Sequence, residues 1–248
     1  MPTPAEIPGR LFELLRAAYG TPADARSLTL LNRGKYGNAN VYRFTEGGRA
    51  LVVKEYYSKT WFIRQTVGRF MVRREARALV DLDGIAGVPP GGRRLGPAAL
   101  AYAYIEGETL VDLHRIRRIQ LPKSFFLDLE RLVGEMHQAG YAHLDLRNLG
   151  NIICDRQGRP CLLDFQSCMR TARLPRFVRR IMENTDRSGI YKCWVRLCEE
   201  PLGPERTTFM DQFGSTRKLW IFQGYWASKT WGKLTRWIRR KSSPPLDR

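Results

Sequence analysis

His143-Leu-Asp145-Leu-Arg-Asn148-Leu-Gly-Asn151-Ile-Ile-Cys154 is the stretch on which the fold turns. It follows the strongest helical pattern in the chain: Pro122 opens it, Phe125, Leu129, Leu132 and Met136 recur at i, i+4, i+7 and i+11, and Gly140 closes it. After the stretch come a hairpin turn at Asp155-Arg-Gln-Gly158 and a short strand, Pro160-Cys-Leu-Leu-Asp164. Asp145 therefore sits on a loop between a long helix and two short strands. Asn151 and Asp164 offer the hard oxygen ligands that Mg²⁺ prefers.

Toward the N-terminus, Ser27 to Tyr57 reads as a three-stranded meander, with alternating Val41-Tyr-Arg-Phe44, a turn at Glu46-Gly-Gly-Arg49 and a β-rich run from Ala50 to Tyr57. Residues 8–19 read as a short amphipathic helix, Phe70 to Asp83 as a helix carrying Glu75, Gly87 to Pro97 as a loop, Ala99 to Ile105 as a strand, and Asp186 to Leu197 as a helix carrying Lys192 and Arg196 toward an anionic acceptor. Phosphoryl transfer from ATP needs a lysine on the phosphates, a carboxylate to orient it, a group to receive the acceptor hydroxyl and ligands for Mg²⁺. Lys54 on the third strand, Glu75 on the next helix, Asp145, Asn151 and Asp164 supply these in the required chain order. Taken singly, Lys54 is an ordinary strand lysine and Glu75 a surface charge. Their joint order is what points to this chemistry.

From about Leu28 to Arg170 the chain resembles the protein-kinase-like superfamily, and within it small bacterial kinases that phosphorylate sugars of the lipopolysaccharide core. The resemblance implies an α+β, two-lobed fold with a small antiparallel β lobe and an abbreviated, mainly helical large lobe, with ATP and Mg²⁺ between them. It implies catalytic roles for Asp145 as base and for Lys54 and Glu75 as an ion pair. Nucleotide contacts fall at Gly34, Gly37, Val41, Lys54, Tyr104 and Ile105, and metal contacts at Asn151 and Asp164. His143 structures the loop. Several departures are visible. The glycine loop, Gly34-Lys-Tyr-Gly37-Asn-Ala-Asn40, has two glycines where three are usual. Asn151 lies one position further from Asp145 than in ordinary protein kinases, which leaves Asn148 as a rival metal ligand. Gln166 replaces the glycine of the Asp-Phe-Gly motif, and no Ala-Pro-Glu motif follows, so a regulated peptide-docking segment is not expected.

The expected organisation is an N-terminal helical extension over 1–26, an ATP-binding lobe over 27–106, a catalytic lobe over 107–214 and a basic, tryptophan-rich segment over 215–248. The net charge of +18 favours a polyanionic partner. From Ser215 to Lys241 there is no acidic residue, and at 100° per residue Trp231, Leu234, Trp237 and Ile238 share one arc while Lys229, Lys233, Arg236, Arg239 and Arg240 share another. That profile suits an anionic membrane surface, and equally a helix packed by its tryptophan face on the large lobe. Nucleic acid is the disfavoured partner. The five cysteines form no CxxC pair, so neither a disulfide framework nor a zinc site is expected. The start lacks the pattern of a signal peptide and no apolar run approaches the roughly 20 residues of a membrane span. The sequence expectation is thus a cytoplasmic kinase, peripheral on the inner membrane face, acting on an anionic glycolipid, a heptose or Kdo of the lipopolysaccharide core. The alternatives are an atypical Ser/Thr protein kinase and a catalytically silent kinase-like binding module.

Overall fold

The computed structural model of the chain describes residues 9–20, 23–24, 26–35 and 37–217. These include helix α1 (Gly9–Tyr19) and strands β1 (Leu28–Asn32), β2 (Asn40–Glu46) and β3 (Arg49–Glu55). A helical turn α2 (Trp61–Ile63) leads through a π-helical segment, Arg64–Gly68, into α3 (Arg69–Asp81). Strands β4 (Arg93–Gly96), β5 (Ala99–Ala103) and β6 (Gly107–Thr109) follow, then the turn α4 (Leu110–Asp112), a second π segment Leu113–Arg117, and α5 (Lys123–Gln138). The remaining elements are β7 (Tyr141–Ala142), β8 (Ile152–Asp155), β9 (Pro160–Leu162), β10 (Met169–Arg170), α6 (Arg176–Leu197) and α7 (Pro204–Arg217).

The first five strands form one antiparallel sheet in the order β1-β2-β3-β5-β4. Gly47 and Gly48 both take positive φ, 58° and 74°, which lets a two-residue turn join β2 to β3 with Glu46 opposite Arg49. The period of two then sorts the side chains. Tyr42, Phe44, Val53, Ala99 and Ala101 pack with Leu11 and Leu15 of α1, while Lys54, the neighbour of Val53, faces the opposite side of the sheet. A slip of one residue would bury Lys54 among the α1 leucines, so the register of β3 against β2, with Lys54 opposite Val41 and Val53 opposite Tyr42, fixes where the ammonium points.

The long helix α5 buries Phe125, Phe126, Leu129, Leu132, Val133 and Met136, and the Phe126 ring lies 5.3 Å from that of Trp194 on α6. Beside these helices β6, β8 and β9 form a three-stranded sheet, and β7 pairs with β10. Contacts divide the chain into two units, residues 1–202 and 203–248. Within the second, α7 starts at Pro204 and the Phe209 and Phe213 rings stack at 5.6 Å.

Three readings need correction. The expected loop over 87–97 contains β4, whose Arg-Arg-Leu-Gly composition carries no strand signal; it forms because the edge of β5 has backbone groups to pair. The helix read as starting at Phe70 begins its coil at Trp61, hidden from a 3.6-residue period by the π segment. The helix read over Asp186–Leu197 begins ten residues earlier, at Arg176, because its first half is polar and only partly buried. The expected interfacial helix at the C-terminus lies outside the described residues. Among the described residues no helix is long and apolar enough to cross a membrane.

Candidate active site

On α3, Val72, Glu75, Ala76 and Leu79 are buried. Glu75 thus occupies a core-facing position of an amphipathic helix, an expensive place for a carboxylate unless it is paired. Its partner is Lys54, whose Nζ donates to Glu75 Oε1 at 2.6 Å and to Asp164 Oδ1 at 2.8 Å. Burial alone would lower the lysine, but the carboxylates of Glu75 and Asp164 hold its ammonium well above the ordinary value. Burial pushes Asp164 upward, and Lys54 overrides it, keeping that carboxyl below its usual range. Asp164 itself sits at φ 59°, and its side chain remains 40% exposed. It is the member of the trio open to solvent.

Asp145 follows Leu144, another non-glycine residue at positive φ, 68°. Asn151, buried at the end of the 3₁₀ turn just before β8, donates its amide to the Asp145 carbonyl at 3.1 Å and to Asp145 Oδ2 at 2.8 Å. Asn148 donates to Asn151 Oδ1 at 3.1 Å and accepts from Gly150 N at 3.2 Å, capping the short 3₁₀ turn between them. Burial raises the Asp145 carboxyl above its ordinary value, with the Asn151 hydrogen bond working against that rise. His143 is buried and its Nε2 lies 2.9 Å from the Leu163 carbonyl. A carbonyl only accepts, so Nε2 carries the proton and the ring ties the Asp145 loop to the strand that leads into Asp164.

Asp186 was read from sequence only as part of a basic helix facing an acceptor. The structure gives it another place. Its Oδ2 accepts from His143 N at 2.7 Å and its Oδ1 from Leu144 N at 2.7 Å, while His137 Nε2 lies 3.0 Å from Oδ2. One buried carboxylate thus fixes two successive amides at the strained turn before Asp145. Gly189, a turn further along α6, lets the helix approach Leu146 so closely that an added Cβ would sit 3.0 Å from its carbonyl carbon. The signal was present: Asp186 is in helical phase with Gly189, Ile190, Cys193 and Leu197, all buried. Asp186→Ala is expected to destabilise the fold by about 2–6 kcal/mol, because a buried and a part-buried N–H group lose their acceptor at roughly 1–3 kcal/mol each. Denaturant midpoints with unchanged slopes would check it.

Arg74 is a second residue the sequence reading passed over. Its Nε donates to the Cys168 carbonyl and its Nη2 to the Ser167 carbonyl, both at 2.8 Å, clamping α3 to the turn that follows Asp164. Glu75 is the next residue, so the clamp holds the Lys54–Glu75–Asp164 trio in register. Arg74→Met is expected to lower turnover about ten- to a hundredfold, from the loss of two charge-assisted bonds of about 1.5 kcal/mol each. Wild-type rates in that variant would assign Arg74 no positioning role.

The other expected nucleotide contacts are placed as follows. Val41 lies directly opposite Lys54 in the β2–β3 ladder. Gly34 N donates to Asn40 Oδ1 at 3.1 Å, and an added Cβ on Gly34 would collide with the Asn38 and Ala39 carbonyls. Gly37 lies in the turn between Gly34 and β2. Tyr104, whose N bonds the Ala50 carbonyl at 2.9 Å, and Ile105 follow β5 and are half-buried.

Solved structures of the Rio2 kinase from Chaetomium thermophilum are similar to this chain in fold. One, an ADP/Mg²⁺-phosphoaspartate complex, superposes with a TM-score of 0.57 at 14% identity over 82% of this chain, and a second gives 0.56 at 14% over 80%. The fold is protein-kinase-like. The chain spans 65% of the length of each Rio2 structure. No protein-family model matches the sequence, and no curated protein matches it either. Lys54 and Glu75 come from β3 and α3, and Asp145, Asn151 and Asp164 from the segments around β8 and β9, so the Lys54–Asp164 bridge joins stretches 110 positions apart in the chain.

Proposed function

We propose that the chain is a Mg-ATP-dependent phosphotransferase that moves the γ-phosphate to a hydroxyl of a lipopolysaccharide core sugar, a heptose or Kdo, at the inner face of the cytoplasmic membrane. The observation that carries phosphotransfer is the Lys54 ammonium bridging Glu75 and Asp164 at 2.6 and 2.8 Å. An ion pair this buried serves little purpose for stability alone. As a phosphate anchor it gives a fixed positive charge at the edge of a half-open aspartate.

The residues fit the nucleotide and its metal. Among the described residues no three His, Cys, Asp or Glu side chains come together as a metal cage. Mg²⁺ does not need one, since it keeps several waters and leans on one or two protein oxygens and the substrate phosphates. Asp164 and Asn151 would hold it, Asn151 being preferred over Asn148 because its amide is locked against Asp145. Held by Asp164 and Asn151, Mg²⁺ would supply neutralisation of the negative charge on the phosphates. Lys54 orients the phosphates, and the tight Gly34 turn leaves backbone beside them. Asp145 aligns the acceptor O–H and takes its proton as the acceptor oxygen bonds to phosphorus and ADP leaves.

For the acceptor, the support is the basic excess, together with the short path after Asp164. Residues 165–175 are all that separate it from α6, leaving little chain to cradle a peptide. The experiment supplies radiolabelled ATP and Mg²⁺ with either core glycolipid or a protein extract. Label in the glycolipid sugar is expected. Label only in protein would overturn the acceptor and leave the phosphotransferase, and no ADP release with either would overturn both.

A further inference from the structure

The outer face of the α2–α3 helix has no role in the site described above, yet its composition is unusual. Trp61, Phe62 and Phe70 are 67%, 58% and 59% exposed. A single exposed apolar side chain is ordinary on a protein surface. Here the exposed positions follow one another along one helical face as Phe62, Thr66, Phe70, Arg73, Arg77 and Val80, with Arg69 beside Phe70. Between Tyr56 and Val80 the sole acidic residue is Glu75, and it is buried on the opposite side of the helix, bonded to Lys54. The face is therefore aromatic and cationic without an exposed acid along its length until Asp81. At 1.5 Å per residue a coil from 61 to 81 runs about 30 Å.

We propose that this face docks on an anionic lipid bilayer. Aromatic bodies settle at the headgroup level, arginines pair with lipid phosphates and extend their stems along the apolar surface, and the long axis lies in the membrane plane. A bilayer fits better than a nucleic acid because Val80, 58% exposed, sits on the same line as the arginines, and an aliphatic side chain gains burial in lipid but cannot stack on a base. The consequence is geometric. Glu75 lies on the inner side of the same helix, so docking places the Lys54–Glu75–Asp164 trio about one helix diameter, roughly 10 Å, from the lipid. This claim does not depend on which hydroxyl is phosphorylated, and binding needs neither nucleotide nor acceptor.

The test is cosedimentation of the full chain with phosphatidylcholine vesicles, with and without phosphatidylglycerol, at several salt concentrations. Wild type is expected to bind the anionic vesicles far better than the neutral ones. Trp61→Ala/Phe62→Ala and Arg69→Gln/Arg73→Gln are each expected to weaken that binding about tenfold or more, since each basic residue near an anionic surface contributes roughly a factor of five. Every replaced side chain is exposed, so melting temperature and basal ATP turnover should not move. Binding by both variants within twofold of wild type would overturn the proposal. So would failure of wild type to bind anionic vesicles, including the case in which it binds single-stranded RNA through this face instead.

Discussion

Asp145→Asn is expected to lose phosphotransfer by about 10²–10⁴-fold while its melting temperature holds or rises. The rate falls because an amide cannot accept the acceptor's proton, and positioned proton transfer contributes about that factor. Stability holds for a reason read from the site. Burial raises the Asp145 carboxyl above its ordinary value, so the native state binds a proton more readily than the open chain does. Stability from this group is then present below the unfolded carboxylate range and is lost as pH rises through the raised native value. At neutral pH the charged Asp145 is a cost, offset in part by the Asn151 hydrogen bond at 2.8 Å, and an isosteric neutral amide removes it. ADP release with acceptor and thermal melting at neutral pH give the two readouts. A variant that turns over like wild type would remove Asp145 from the mechanism.

Lys54→Met should abolish activity and also destabilise the protein by about 3–5 kcal/mol, the cost of leaving a buried charge without its partner. Glu75 is 1% exposed. Burial drives its carboxyl upward and the Lys54 ammonium opposes that rise, so removing Lys54 lets it rise further. The variant's stability should therefore be greatest in mild acid and fall as pH increases through the raised Glu75 value. Adding Glu75→Gln in the same chain should restore much of the stability and none of the activity. Denaturant unfolding of the single and double variants across pH checks this, and a single variant as stable as wild type at neutral pH would mean the pair is not buried as described.

Much of the fold and site was legible in the sequence because its marks are local. The alternating run of β2 and the β-rich run of β3 placed Lys54 on the third strand, and two adjacent glycines made the turn between them. The spacing of Phe125, Leu129, Leu132 and Met136 placed the helix that precedes Asp145. Glu75 was legible only through its order after Lys54; the structure adds that it is in phase with buried Val72, Ala76 and Leu79, where an acid must find a cation. The same logic applied to Asp186, in phase with Gly189, Cys193 and Leu197, but its partners are backbone N–H groups, which every residue carries and no sequence distinguishes.

What the chain order alone determined is the identity of the side chains that meet: a strand lysine, a helix glutamate, and the loop oxygens of Asp145, Asn151 and Asp164. Tertiary structure decided how they are held. Arg74 grips carbonyls more than ninety positions away, Asp186 anchors amides some forty positions before it, and β4 exists because β5 had an unpaired edge. These are hydrogen bonds to main chain. Their partners are chemically uniform along the sequence and become specific only when folding brings a particular stretch of backbone within reach.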